Sequence, residues 1–533
     1  MSSVEGKLHF GLNQNTSVDS IEVIWPNNEV IKIIDPSINT TITVQYQSGG
    51  DLYDYNKEDT QHKIFNTENL IDYVHKEDDY NDFAEEKLIP YKVSTLGPAV
   101  AIGDVNKNGF NDIYIGNSAG KSAQLLINTG VNFVTSNQPY LLEDADFEDN
   151  NAVFFDANNN GNLDLYVASG ANKNPGYQND RLYINKNGVL TKAETNIPKN
   201  QWVTSVVVPY DYDNDGDVDL FVGNYTDLRN FGKTVESYIL VNDGNGHFTK
   251  DENFTLSGKV TDAIWYDVND NGQKDLLVTT EWDRPYIFMN QNGKLIEKKL
   301  PNQLSGLWQT LFMFDLNKDG RKDLLLGNWG LNTKFNLNFE EPLIMYHADF
   351  EKNGKEHTIL AYHKNGAYYP LNTKDELSSQ MYSISKKFVN HKSFAGKSIE
   401  EVFTKETLNN ANKFQVETLA SGYILNNNGN FNQFVPFPKD FQLAPINSFK
   451  ALEIQDEEYF MLGGNSLKTN TYHGNYTSLK GLLVKDLNEF NHVSKFGVDA
   501  FNSQIKKIES IPMKDHDLLI IVSNNDKLKS YSY

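Results

Sequence analysis

Five copies of one short pattern, Asp-x-Asn/Asp-x-Asn/Asp-Gly-x-x-Asp, are written into this chain. They span Asp104 to Asp112, Asp156 to Asp164, Asp211 to Asp219, Asp267 to Asp275 and Asp315 to Asp323. Side-chain oxygens at positions 1, 3, 5 and 9, with Gly at position 6, match the first part of a calcium-binding loop. The copies recur at intervals of about fifty residues, a period that points to a propeller or a linear array. No other feature narrows the choice of fold so far.

Each copy lies between two apolar runs. Ala99 to Ile102, Ala152 to Phe155, Val206 to Val208, Ala263 to Tyr266 and Leu311 to Phe314 precede the five loops. Ile113 to Asn117, Leu165 to Ser169, Leu220 to Asn224, Leu276 to Thr280 and Leu324 to Asn328 follow them. These are short runs of aliphatic and aromatic residues bounded by Gly and Asn, which is strand chemistry. A third run ends in Asn at Asn128, Asn185, Asn242 and Asn290, and a fourth follows a Gly turn, as at Gly246-His-Phe248. Four antiparallel strands per repeat make one propeller blade. A single such sheet has two apolar faces to cover, and stacking blades around an axis covers both.

Two further blades are expected without the loop. One covers Asn447 to Asn475, with Gln455-Asp-Glu-Glu458 in the loop's place; the other covers Ile505 to Tyr533. The expected fold is all-β, a seven-bladed propeller over residues 96–533, with a small N-terminal β unit at 1–48 and a linker at 49–95. A partly helical insertion is expected at about 357–445. Its helices are marked by two capping boxes, Thr373-Lys-Asp-Glu376 and Ser398-Ile-Glu-Glu401. Asp349-Phe-Glu-Lys-Asn-Gly354 begins like a sixth loop but carries His357 at position 9. In the N-terminal unit, Ile21 to Trp25, Val30 to Ile34 and Thr41 to Val44 read as strands around a Pro26-Asn-Asn turn.

Composition removes several function classes. The net charge is −23, without a basic stripe, which excludes a nucleic-acid footprint. The chain has no Cys, so disulfides, thiol catalysis and Cys-ligated zinc are absent. No apolar run approaches the ~18 residues of a membrane span. There is no Gly-x-Ser-x-Gly elbow, no His-Glu-x-x-His helix and no phosphate-binding Gly-Lys-Ser/Thr loop, so no catalytic residue is assigned. Trp282, Trp308 and Trp329 fall beside strands and read either as edge packing or as a platform for sugar rings. Lys386-Lys387 and His391-Lys392 form a small basic island in the insertion, read as a solvated helix face or a partner site.

The loops with their Gly-Asn strands resemble FG-GAP/VCBS repeats, and Ser20-Ile-Glu-Val-Ile-Trp-Pro26 resembles the core of the ASPIC/UnbV domain. His75 to Phe83, Leu88 to Tyr91 and Tyr369 to Leu377 resemble segments of large surface proteins of Bacteroidetes. The resemblance implies an exported protein, extracellular or at the outer-membrane surface, whose export signal is missing from this chain. It also implies work beside glycan- or nutrient-uptake systems.

Ca²⁺ is the expected cofactor, at about five sites. The ligands are Asp104, Asn106, Asn108 and Asp112; Asp156, Asn158, Asn160 and Asp164; Asp211, Asp213, Asp215 and Asp219; Asp267, Asn269, Asn271 and Asp275; and Asp315, Asn317, Asp319 and Asp323. Oxygen-only ligands suit this ion. None of the five loops carries the Glu of an EF-hand, so an affinity of roughly 10⁻⁴–10⁻³ M is expected, suited to a calcium-rich exterior. The expected function is non-catalytic: a cell-surface binding or scaffold module for a glycan or protein ligand, within an outer-membrane complex and without nucleic acid. The alternative is a calcium-dependent propeller enzyme such as a polysaccharide lyase.

Overall fold

The structure is a computed structural model, and it describes residues 7–53, 63–470 and 473–533. The chain forms two compact units, Met1–His62 and Lys63–Tyr533.

In the first unit Ser20–Ile24 pairs antiparallel with Val30–Ile34. The turn between them is closed by Asn28 N–H on the Trp25 carbonyl, with Asn28 at φ +67°, a conformation Asn tolerates. The strand expected at Thr41 to Val44 does not form. Tyr46 instead lays its ring against Trp25, edge on, at 5.4 Å, and Glu29 pairs with Leu52.

The second unit is a ring of seven antiparallel sheets, each of four strands except the fourth, where Gly306–Leu307 adds a short fifth strand beside Asp275–Asp283. The inner strands, in chain order, are Val100–Gly103, Asp149–Phe155, Val203–Tyr210, Lys259–Tyr266, Thr310–Phe314, Ile446–Ile454 and Gln504–Pro512. Each inner strand packs on the next, and Ile113 and Ile115 of the first sheet share one apolar cluster with Ile511, Leu518 and Ile520 of the seventh. The ring therefore closes. The second strands, such as Asp219–Thr226 and Asp323–Gly327, are buried on both faces, and for this reason they read as unbroken apolar runs.

The stretch 49–95, expected as a linker, belongs in large part to the ring. Asn66–Glu68 supplies the outer strand of the seventh sheet by pairing with Lys529–Ser532. Ile89, Tyr91 and Val93 are buried in the largest apolar cluster, beside Trp282 and Trp329. Few apolar residues, spaced irregularly, do this work, so no strand or helix period marks the segment.

The insertion also differs from its expected extent of 357–445. It leaves the fifth sheet after Asp323–Gly327 and returns at Gly422–Asn427, which with Asn430–Pro436 completes that sheet. Between them stands a separate four-stranded sheet of Leu343–Ala348, His357–Lys364, Ala367–Pro370 and Asn412–Val416. Short helices cover one of its faces through Leu377, Met381, Ile384, Ile399, Val402 and Leu408. Both capping boxes form as their spacing requires: Thr373 with Glu376 and Ser398 with Glu401.

Candidate functional site

The five loops adopt one conformation. Position 4 is left-handed in every copy, at Lys107, Asn159, Asn214, Asp270 and Lys318. Position 6 is Gly with φ between +77° and +96°, where a Cβ would be strained. The N–H of position 5 is shared between the side-chain oxygens of positions 1 and 3. Asn108 N–H lies 3.0 Å from both Asp104 Oδ1 and Asn106 Oδ1, and Asp215 N–H lies 3.1 Å and 3.2 Å from Asp211 Oδ1 and Asp213 Oδ1. Asn160, Asn271 and Asp319 repeat this arrangement with Asp156 and Asn158, Asp267 and Asn269, and Asp315 and Asn317. The other oxygen of position 1 accepts from the Gly N–H, as Asp104 Oδ2 does at 2.8 Å. Position 5 accepts from the N–H of position 7, as Asn108 does from Phe110. Three side-chain oxygens thus converge at each turn.

Position 9 is set deeper. Asp112, Asp164, Asp219, Asp275 and Asp323 are all fully buried. One oxygen of each accepts from the N–H of position 2, and the other from the N–H of an Asn on the neighbouring third strand. Burial pushes the Asp112 and Asp164 carboxyls up to about 6 and Asp219 up to about 7, against the lowering effect of those two amides. Asp275 and Asp323 are raised for the same reason. Each carboxylate oxygen keeps a free lone pair, so the amide bonds leave room for a cation.

The loops differ in charge. The carboxylates of Asp211, Asp213 and Asp215 offer oxygens within 4.8 Å of one another. In the first, second and fourth loops Asn occupies positions 3 and 5, and in the fifth it occupies position 3. The Asp349 turn copies the loop conformation, with Lys352 and Gly354 left-handed and Asp349 accepting from Asn353 and Gly354. It lies in the inserted sheet, and its position 9 is the buried His357.

The Asn residues stitch the blades together, a role the sequence reading did not assign. Asn185 Nδ2 donates to the Val105 carbonyl in the preceding blade's loop, Asn242 to Ala157, Asn290 to Tyr212 and Asn426 to Val268. Asn128 follows the seventh blade, which has no such loop, and its amide meets Met513 instead.

The three Trp residues are not a sugar platform. Trp282, Trp308 and Trp329 are at most 4% exposed. Trp308 Nε1–H donates to the Leu304 carbonyl and Trp282 Nε1–H to Tyr91 Oη. The basic island is likewise used within its own helices: His391 meets Asp375, Lys387 donates to the Val402 carbonyl, and Lys386 lies over the Tyr382 ring.

At the opposite end of the inner strands from the loops, a cavity of about 470 Å³ opens along the ring axis. Lys468, Lys506, Ser466 and Gln504 line one side, and Asp262, Glu281 and Tyr225 line another. Glu281 is fully engaged: Oε2 accepts from Tyr91 Oη at 2.6 Å and Tyr225 Oη at 2.5 Å, and Oε1 from Gln309 at 2.6 Å. The signal for this site in sequence is slight, a Gln504-Ile-Lys-Lys507 run opening an inner strand of an acidic chain.

Among the described residues no helix is long and apolar enough to cross a membrane. Residues 1–51 match the family described as ASPIC and UnbV. Residues 156–222, 211–278 and 267–326 match the FG-GAP-like repeat. No curated protein matches the sequence. Solved structures that align include BBS1N in complex with ARL6DN, at 10% identity and TM-score 0.39, covering 88% of this chain and 97% of that one. The V. cholerae biofilm matrix protein Bap1 aligns at 11% identity and TM-score 0.37, covering 88% and 91%. YCF48 bound to D1 peptide aligns at 10% identity and TM-score 0.38, covering 86% and 98%. The chain therefore carries an ASPIC and UnbV segment at its N-terminus, followed by FG-GAP-like repeats that form blades of a β-propeller.

Proposed function

We propose that this protein is a non-catalytic binding or scaffold module whose propeller is held in shape by Ca²⁺ in its five loops. One observation carries the reading. In all five loops the oxygens of positions 1 and 3 share the N–H of position 5, whose own side-chain oxygen accepts from the N–H of position 7, and one loop gathers three carboxylates, Asp211, Asp213 and Asp215. Carboxylates crowded in this way repel one another and call for a cation. Asp104, Asn106 and Asn108, with the carbonyl of Phe110, would hold one ion, and the corresponding residues of the other four loops the rest. Position 9 would complete the set from below. The ion's contribution is charge neutralisation and the tying of a blade's first strand to its second. Oxygen-only ligands in a flexible turn fit Ca²⁺ better than Mg²⁺.

A propeller presents loops on a rigid frame, the usual setting for recognition. We place the module at the cell surface or outer membrane, where millimolar calcium would saturate loops of modest affinity, and take its ligand to be a glycan or a protein. The test has two parts. Elemental analysis and calorimetry of the full chain should find about five calcium ions and a melting temperature lowered by chelation. Unchanged melting in EDTA with no bound calcium would overturn the calcium reading. A screen of glycans and surface extracts, with an assay for unsaturated sugar products, addresses the binding role; turnover of a polysaccharide would overturn the non-catalytic assignment.

A further inference from the structure

We infer that the axial cavity is a binding site for a small oxyanion, a carboxylate or phosphate group, held by Lys468 and Lys506 with Ser466 and Gln504. This rests on the reading of the propeller as a binding module but not on the occupancy of the calcium loops.

Lys468 is only 6% exposed, and among the described residues its ammonium makes no hydrogen bond and no ion pair. Its neighbours are rings: Tyr91 at 4.8 Å and Trp329 at 6.0 Å. Three donors on a buried cation without an acceptor are costly unless the cavity supplies one. The carboxylates that face it, Glu281 and Asp82, are spent on other donors. Glu281 serves two tyrosines and Gln309; Asp82 serves Val93, Ser94 N–H and Ser94 Oγ. Burial lowers the Lys468 ammonium, and Glu281 and Asp82 oppose this.

Ser466, two residues before Lys468, is 1% exposed, and its Oγ has no hydrogen-bond partner among the described residues. Both residues line the cavity. Gln504 is 3% exposed; its Oε1 accepts from Leu467 N–H at 2.9 Å, which leaves the NH₂ end as the free donor. That bond also ties the loop carrying Ser466 and Lys468 to the inner strand carrying Lys506. Lys506 spends one donor on the Thr95 carbonyl at 2.9 Å. The carboxyls near Lys506, Glu77 and Glu148, are pushed up by burial toward their neutral form. One sector of the channel is therefore lined by donors in a chain whose net charge is −23.

The wall is built. Asn465 Nδ2 donates to the Leu479 and Ser503 carbonyls, and Asn447 Nδ2 to those of Asn465 and Ile505. Tyr91, which lies against Lys468, anchors the segment that crosses this end of the ring. Its pairing with Thr469 fixes that segment to the loop. The volume is that of a small-molecule site.

The experiment is calorimetric titration of the full chain, in the presence of calcium, with inorganic phosphate and with malonate in separate arms. Saturable binding of either is expected, and the tighter arm identifies the oxyanion. Lys468→Met should weaken it by about tenfold or more, the value of a lost charge-assisted contact. Ser466→Ala, which removes one oxygen and leaves the packing intact, should weaken it by roughly threefold. Absence of saturable binding in both arms at about 20 mM would overturn the inference, a concentration that still reveals affinities weaker than millimolar. Equal affinity in wild type, Lys468→Met and Ser466→Ala would also overturn it. If calcium still raises the melting temperature while neither anion binds, this inference fails and the calcium reading stands.

Discussion

The backbone N–H of Asn426 donates to Asp323 Oδ1 at 2.8 Å across 103 residues of sequence. The side chain of the same Asn donates to the Val268 carbonyl of the preceding blade and to Lys322, and its own oxygen accepts from Gly429. One residue thus seats a loop, closes a turn and joins two blades.

Replacing Asn426 by Ala leaves the Val268 and Lys322 carbonyls and the Gly429 N–H without this partner, in a site that is 4% exposed. A loss of about 2–4 kcal/mol is expected, since each buried orphan costs about 1–3 kcal/mol. Urea unfolding measures it. Asn242→Ala should behave alike, because Asn242 makes the same bonds to Ala157 and Val218.

Calcium at about 10 mM should stabilise the propeller by roughly 1.4–2.7 kcal/mol per occupied loop if the dissociation constants lie near 10⁻³–10⁻⁴ M. The third loop should bind tightest, since Asp211, Asp213 and Asp215 are mutually close. Asp213→Asn should abolish the tightest phase of a calcium titration and leave the weaker phases unchanged.

Glu86 gives a signed pH dependence. Burial pushes its carboxyl up to about 7 although the Phe231 N–H donates to both oxygens. The folded state therefore holds a proton that the unfolded chain releases near the ordinary value of 4.5. This group's contribution to stability is full below about 4.5, falls as pH rises to about 7, and is flat beyond, by at most about 3 kcal/mol. Glu86→Gln should flatten that segment of the profile and make the variant the more stable chain at pH 8. Chemical unfolding at intervals from pH 4 to 8 would show a profile unchanged by the substitution if Glu86 were not the cause.

Trp308→Ala should cost about 3–5 kcal/mol as a buried aromatic deletion. Trp308 is fully buried against Leu304, Leu311 and Phe434, so the loss should appear in thermal unfolding. Trp308→Phe should recover most of the stability and leave any glycan binding unchanged.

The regular part of the ring was legible because each repeat carries its own signals: a loop whose geometry needs Asn, Asp and Gly, and strands whose apolar runs flank it. Asn128, Asn185, Asn242 and Asn290 were visible as strand ends. Asn426 was hidden because the inserted sheet moved its strand about a hundred residues from its loop. The 49–95 segment reads as a linker because it buries isolated residues such as Phe65, Ile71, Tyr73 and Tyr91 with no repeating spacing. The Trp residues were ambiguous because a position beside a strand does not reveal which face the ring takes. The axial lysines escaped notice because their meaning depends on seven strands that approach one another only in the closed ring.

Residues Asn66–Glu68 and Lys529–Ser532 lie in one sheet, so the seventh blade is shared between an early and a late stretch of the polypeptide. During synthesis the early strand emerges hundreds of residues before its mate. Until Ser532 has left the ribosome, the Asn66–Glu68 edge stands without its neighbour and the outermost turn of the ring has nothing to latch onto. A nascent chain of this design must keep an exposed strand from pairing with strangers until a partner more than four hundred residues further along has been made.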